Sequence, residues 1–175
     1  MSPSDYLVNG LLIALVVLQL RGRPLTTRAL VLPLAIVAWA ATNYLHGVPT
    51  GGNDLVLVVG GPLIGAALGT TAALLTRITP GSNGPPIARA TAAAAALWVL
   101  GIGARMGFVL WTTHGGAAGL GRFSAAHDIT SGEAWVAGLV LMALAEVVSR
   151  TLILAVRGGT LSRLLSSAST GPQPV

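Results

Sequence analysis

Five predominantly apolar stretches, parted by short runs of Arg, Gly, Pro, Asn and Asp, set the pattern of this chain. A helix must satisfy its own backbone in hydrocarbon, and about 20 apolar residues cover a core of about 30 Å. The stretches fall at about residues 5–20, 27–45, 55–76, 87–111 and 133–156. They predict an all-α, integral membrane bundle of about five transmembrane helices within a single domain, 1–165. Arg21-Gly22-Arg23-Pro24 breaks the first stretch. The segments 46–54 and 77–86 read as loops because Gly and Pro punctuate them, and 112–132 reads as a longer connection. Thr130 lies three residues before Glu133, a capping-box spacing that predicts the start of the fifth helix there. The tail 166–175, rich in Ser and Pro, is expected to be disordered.

Charge gives these helices a direction. Positively charged loops stay in the cytoplasm. Arg21, Arg23 and Arg28 lie between the first two spans, Arg77 and Arg89 between the third and fourth, and Arg157 and Arg163 after the fifth. The alternate connections hold only Arg122. That bias alternates correctly for an odd number of spans, with the N-terminus out and the C-terminus in. The first twenty residues lack a basic n-region and a convincing small-residue cleavage site, so they read as a retained span.

Composition points to the same solvent: 53% of residues are hydrophobic and 9% charged, and the mean hydropathy is +0.78. All ten basic residues are arginine, which with the abundant Ala and Gly suggests a GC-rich bacterial genome and hence a bacterial cytoplasmic membrane. The arginines form no basic stripe, so the +5 charge does not predict nucleic-acid binding. The absence of cysteine excludes disulfides, thiolate metal sites and Cys nucleophiles.

Small residues and buried charge supply the candidate contacts and sites. Gly61, Gly65 and Gly69 recur every four residues on the third span, and Gly103 and Gly107 continue a small face on the fourth. Such faces let helix backbones approach closely, within the bundle or between copies. Arg105, Glu146 and Arg150 are the charges inside spans, and intramembrane charge is costly unless paired or hydrated. Arg105 and Glu146 lie on antiparallel helices and lean toward each other, because side chains lean toward their own helix N-terminus. The competing pairing joins Glu146 to Arg150 one turn later, with Arg105 snorkelling to the outer surface. His46, His114 and His127 fall in connections expected outside and, with Asp54, Asp128 and Glu133, are the candidates for a metal or haem-facing site. They lack HxxxH or HExxH spacing. Trp111 and Trp135 read as anchors at the headgroup zone. No Walker A, GxSxG or dinucleotide motif occurs, so no enzyme class is indicated and no cofactor is named.

Arg21-Gly22-Arg23-Pro24-Leu25, followed by Arg28 and Leu32-Pro33-Leu34, resembles the start of the CcdC-like family of small bacterial membrane proteins. Leu97-Trp98-Val99-Leu100 continuing to Arg105-Met106-Gly107 resembles the same family. The resemblance implies a multi-span protein, loosely associated by name with cytochrome c biogenesis, and marks Arg23, Pro24, Arg28 and Arg105. The functional expectations are, first, a non-enzymatic component that packs with or helps assemble other membrane proteins or copies of itself, with the third-span ridge of Gly61, Gly65 and Gly69 as the contact face. A small oligomeric transporter or channel using Arg105 and Glu146 comes second, and a haem- or metal-handling protein third.

Overall fold

The computed structural model describes residues 23–44, 47, 49–81 and 84–169. The predicted first span, His46 and residues 170–175 lie outside the described residues. The chain is mostly helical, in the order β1 (Arg23–Pro24), α1 (Thr27–Tyr44), α2 (Asp54–Leu74), β2 (Thr76–Thr79), β3 (Ile87–Ala90), α3 (Ala92–Trp111), a π-turn (Thr112–Gly116), α4 (Ala117–Ala126) and α5 (Gly132–Ser169). Among the described residues three helical stretches are long and apolar enough to cross a membrane: Asp54–Leu74, Ala92–Ala126 and Gly132–Thr160. At about 1.5 Å per residue α2 is about 31 Å long, close to the thickness of a hydrocarbon core. The fourth long helix, α1, is outside that set; its 18 residues include Arg28 and Asn43.

The tightest packing joins α2 to α5, and it is parallel. A Cβ on Gly61 would meet the carbonyl of Gly138, one on Gly65 that of Met142, and one on Gly69 that of Glu146. In return, Gly138 faces the carbonyl of Leu57 at 3.0 Å from its would-be Cβ. The glycine ridge of the third span is therefore filled by α5, backbone against backbone. Small residues supply this approach because hydrocarbon gives two helices no hydrophobic reason to pair. Gly65, Gly69, Ala72 and Ala73 are all buried along it. The second predicted small face differs: among the described residues nothing lies within 4 Å of a Cβ at Gly103 or Gly107, and both glycines are exposed.

The structure differs from the sequence expectation in the connections and at the helix ends. Residues 77–86 are not simply a loop, because β2 and β3 form a hairpin with Thr76 opposite Ala90 and Thr79 opposite Ile87. β1 joins the other side of β3, giving a three-stranded antiparallel sheet in the order β1-β3-β2. β-branched Thr and Ile favour this extended form, and Ile87–Ala90 is thereby removed from the fourth span, which starts at Ala92. Thr91 caps that helix: its hydroxyl accepts from the Ala94 N–H at 3.2 Å and donates to the Leu75 carbonyl at 2.9 Å.

The connection 112–132 is largely helical as well. A π-turn breaks the helix at His114 and Gly115, the latter at φ +109°, a backbone state that glycine adopts without a Cβ clash. The chain then continues as α4, whose Phe123 and Ser124 come to lie beside Trp135 of α5. At the start of α5, the cap is Ser131 rather than Thr130: the Ala134 N–H donates to the Ser131 hydroxyl at 3.2 Å. At its other end α5 stays helical to Ser169, into the segment whose composition suggests disorder.

Candidate functional site

Two polar clasps fix α2 and α5 at their ends and so position what lies between. At the first, Asp54 is fully buried at the N-terminus of α2. Its carboxylate accepts from the Thr130 N–H at 2.7 Å, the Thr130 hydroxyl at 2.6 Å and the Ser131 hydroxyl at 3.4 Å. A carboxylate at this end also opposes the partial positive charge of the helix N-terminus. Asn53 adds two bonds, its N–H donating to the Asp128 carbonyl and its side-chain amide to the His127 carbonyl, both at 2.9 Å. At the second clasp, one terminal nitrogen of Arg157 on α5 donates to the carbonyls of Ala73, Thr76 (3.0 Å) and Leu74 (3.4 Å). A guanidinium there satisfies the carbonyls that a helix C-terminus leaves open.

Between the clasps α3 and α5 run antiparallel, and Arg105 meets Glu146. Arg105 Nη1 donates to Glu146 Oε2 at 2.8 Å, with the two side chains 18% and 5% exposed. Among the described residues this is the one salt bridge. The carboxylate oxygens lie 3.5 and 3.6 Å from where a Cβ of Gly101 would stand, so the pair sits one turn below Arg105 on α3. Arg105 thus leans toward the N-terminus of its own helix, as helical side chains do. The guanidinium passes Gly101, whose missing side chain leaves the space, and Glu146 continues the packing line that its backbone makes against Gly69.

Arg150 lies one turn beyond Glu146 on the same side of α5. It makes no salt bridge with Glu146, and its Nε is buried without a hydrogen-bond partner. The centre therefore pairs one guanidinium with one carboxylate, and a second guanidinium, one turn along α5, keeps its Nε unmet. The sequence leaves Arg105, leaning toward Glu146 from an antiparallel helix, and Arg150, one turn along α5, both open as its partner; the packing of α3 decides for Arg105.

Among the described residues the histidines are not assembled. His114 Nδ1 lies 2.9 Å from the Leu110 carbonyl in the π-turn, and His127 Nδ1 lies 2.9 Å from the Phe123 carbonyl while its ring stacks on Phe123 at 4.1 Å. Among the described residues no group of three or more His, Cys, Asp or Glu comes together, and Asp54 is held by Thr130 and Ser131. The aromatic residues join α3, α4 and α5: Trp135 stacks on Phe108 at 5.4 Å and donates from its indole to the Ser124 hydroxyl at 3.1 Å. Trp111 covers Gly116, with its ring 2.5 Å from where a Cβ would stand.

These features define a membrane-embedded helical protein, at the level of class. No family model, curated protein or solved structure matches the chain.

Proposed function

We propose that the chain is a five-span protein of the bacterial cytoplasmic membrane, N-terminus out and C-terminus in, that packs with other membrane components and performs no chemistry of its own. The observation that carries this reading is the contrast between the two glycine faces. The α2 ridge is used inside the bundle, whereas among the described residues Gly103 and Gly107 are exposed on α3 with nothing near them. Glycine costs a helix about 1 kcal/mol relative to alanine, and close helix contact is what offsets that in a bilayer. The orientation is supported by the arginines of the sheet end, Arg77 and Arg89, against Asp54, Asp128 and Glu133 at the opposite end. Membership of the CcdC-like family belongs to the same proposal. Of its marked positions Arg23 and Pro24 form β1, Arg28 opens α1 and Arg105 holds Glu146.

The test is purification in mild detergent, with mass spectrometry and size measurement, of the natural chain and of a Gly103→Leu/Gly107→Leu variant. The natural chain is expected to carry a second copy or a stoichiometric partner, and the folded variant to lose it. A natural chain that runs alone, or a variant that unfolds because another part of the same chain covers α3, sinks the reading.

A second reading, a small transporter, is favoured by the buried Arg105–Glu146 pair. It requires flux of a charged solute in liposomes that Glu146→Gln removes while the fold survives.

A further inference from the structure

We infer that Arg150 is a binding site for a phosphate-bearing anion at the sheet end of the bundle, supplied by a lipid headgroup or by free phosphate. Its Nε is buried and has no hydrogen-bond partner, although a buried donor is costly to leave unmet. The Glu146 carboxylate one turn away bonds Arg105 through Oε2 at 2.8 Å and makes no salt bridge to Arg150. Two guanidiniums with one carboxylate leave a positive charge that a cation would worsen and an anion would balance. The guanidinium fork matches the oxygens of phosphate in particular.

Depth selects the phosphate layer. Gly69 of α2 faces Glu146 of α5, and the two helices are parallel, so Arg150 is level with Ala73, at the last turn of α2. It stands about 27 Å along α5 from Gly132, near the far edge of a core about 30 Å thick. The surface at this end is cationic by construction. Arg77 and Arg89 are direct cross-strand partners and both are exposed, a pairing of like charges that destabilises a hairpin unless anions screen it. Arg157 at the same end is already bound to the carbonyls of Ala73, Leu74 and Thr76. Basic pockets between helices at such a surface suit anionic headgroups. The inference needs only that this end of the bundle reaches a membrane surface, and it is independent of whether α3 docks a partner.

The experiment uses the full chain in an uncharged detergent, with thermal unfolding followed on adding phosphatidylglycerol, phosphatidylcholine or inorganic phosphate. Phosphatidylglycerol at ten times its Kd is expected to raise Tm by about 3–6 °C, phosphatidylcholine to leave it unchanged, and Arg150→Gln to remove the rise. Arg122→Gln, at the opposite end, should keep it. A rise with inorganic phosphate that Arg150→Gln also removes identifies free phosphate as the source. Arg150→Lys retains the charge without Nε, is less disruptive, and is expected to keep less than half of the rise; it carries the test if the Gln variant does not fold. No rise with either anion overturns the inference. So does a full rise in Arg150→Gln or Arg150→Lys, which would report general attraction to Arg77 and Arg89.

Discussion

Glu146 is 4% exposed and touches three things at once: Arg105 through its carboxylate, the space left by Gly101, and Gly69 through its backbone. Removing the charge of one partner strands the other in a low-dielectric centre, a loss of about 3–5 kcal/mol for buried pairs. Arg105→Met alone and Glu146→Leu alone are each expected to destabilise by that order. The double variant should recover most of it, because two apolar side chains need no partner. Denaturant unfolding of the four proteins in mixed micelles closes the cycle; additive losses would mean that the pair is not coupled. The Asp54 clasp makes a separate prediction. Asp54→Asn keeps the shape but turns one accepting oxygen into a donor facing Thr130, and is expected to cost about 1–3 kcal/mol, read as faster hydrogen exchange at 128–134. At this scale the sequence exposed the candidates but not their use. Arg105, Glu146 and Arg150 stood out because charge is rare in a span, whereas the role of Asp54 depended on Thr130, 76 positions away. The histidines stood out for their chemistry alone, and ring-to-carbonyl contacts with Leu110 and Phe123 account for His114 and His127.

Elements were legible where their pattern outlasts their context. The third span was expected at 55–76 and runs Asp54–Leu74, because a long apolar stretch fixes a helix and its glycines fix the packing face. The sheet was not legible: Pro80, Gly81, Gly84, Pro85 and Pro86 obscure two four-residue strands, and β1 consists of only Arg23 and Pro24. Nor was the π-turn, which needs Gly115 at positive φ and Gly116 under Trp111. The two glycine faces now give opposite expectations for one substitution. Gly65→Leu drives a side chain into the Met142 carbonyl, a collision with backbone that no rotamer relieves, and is expected to cost about 3 kcal/mol or more. Gly103→Leu meets none of the described residues and should leave the stability of the isolated chain within about 0.5 kcal/mol. Equal losses from both, measured by unfolding in detergent, would mean that α3 is covered as closely as α2.

At the scale of the whole molecule, the parallel run of α2 and α5 constrains topology more firmly than hydropathy does. Gly61, Gly65 and Gly69 face Gly138, Met142 and Glu146 in the same order, so both helices cross in one direction, with α3 returning between them. Set across a bilayer, the three helices make an odd number of crossings from the start of α2 to the end of Gly132–Thr160, with Asn53 and Thr79 on opposite sides. The chain contains no cysteine, so single cysteines can be placed without a background. With the sheet end inside, Asn53→Cys and Phe123→Cys should react with a membrane-impermeant maleimide in intact cells, and Thr79→Cys only after lysis. The reverse result would keep the bundle and invert it, carrying Arg77 and Arg89 outward against the charge bias of the loops. Labelling of all three from one side would break the crossing order itself. The same reagent on Ser4→Cys then counts the remaining crossings: reaction in intact cells fits an odd total with two spans before α2, whereas protection until lysis reduces the spans before α2 to an odd number.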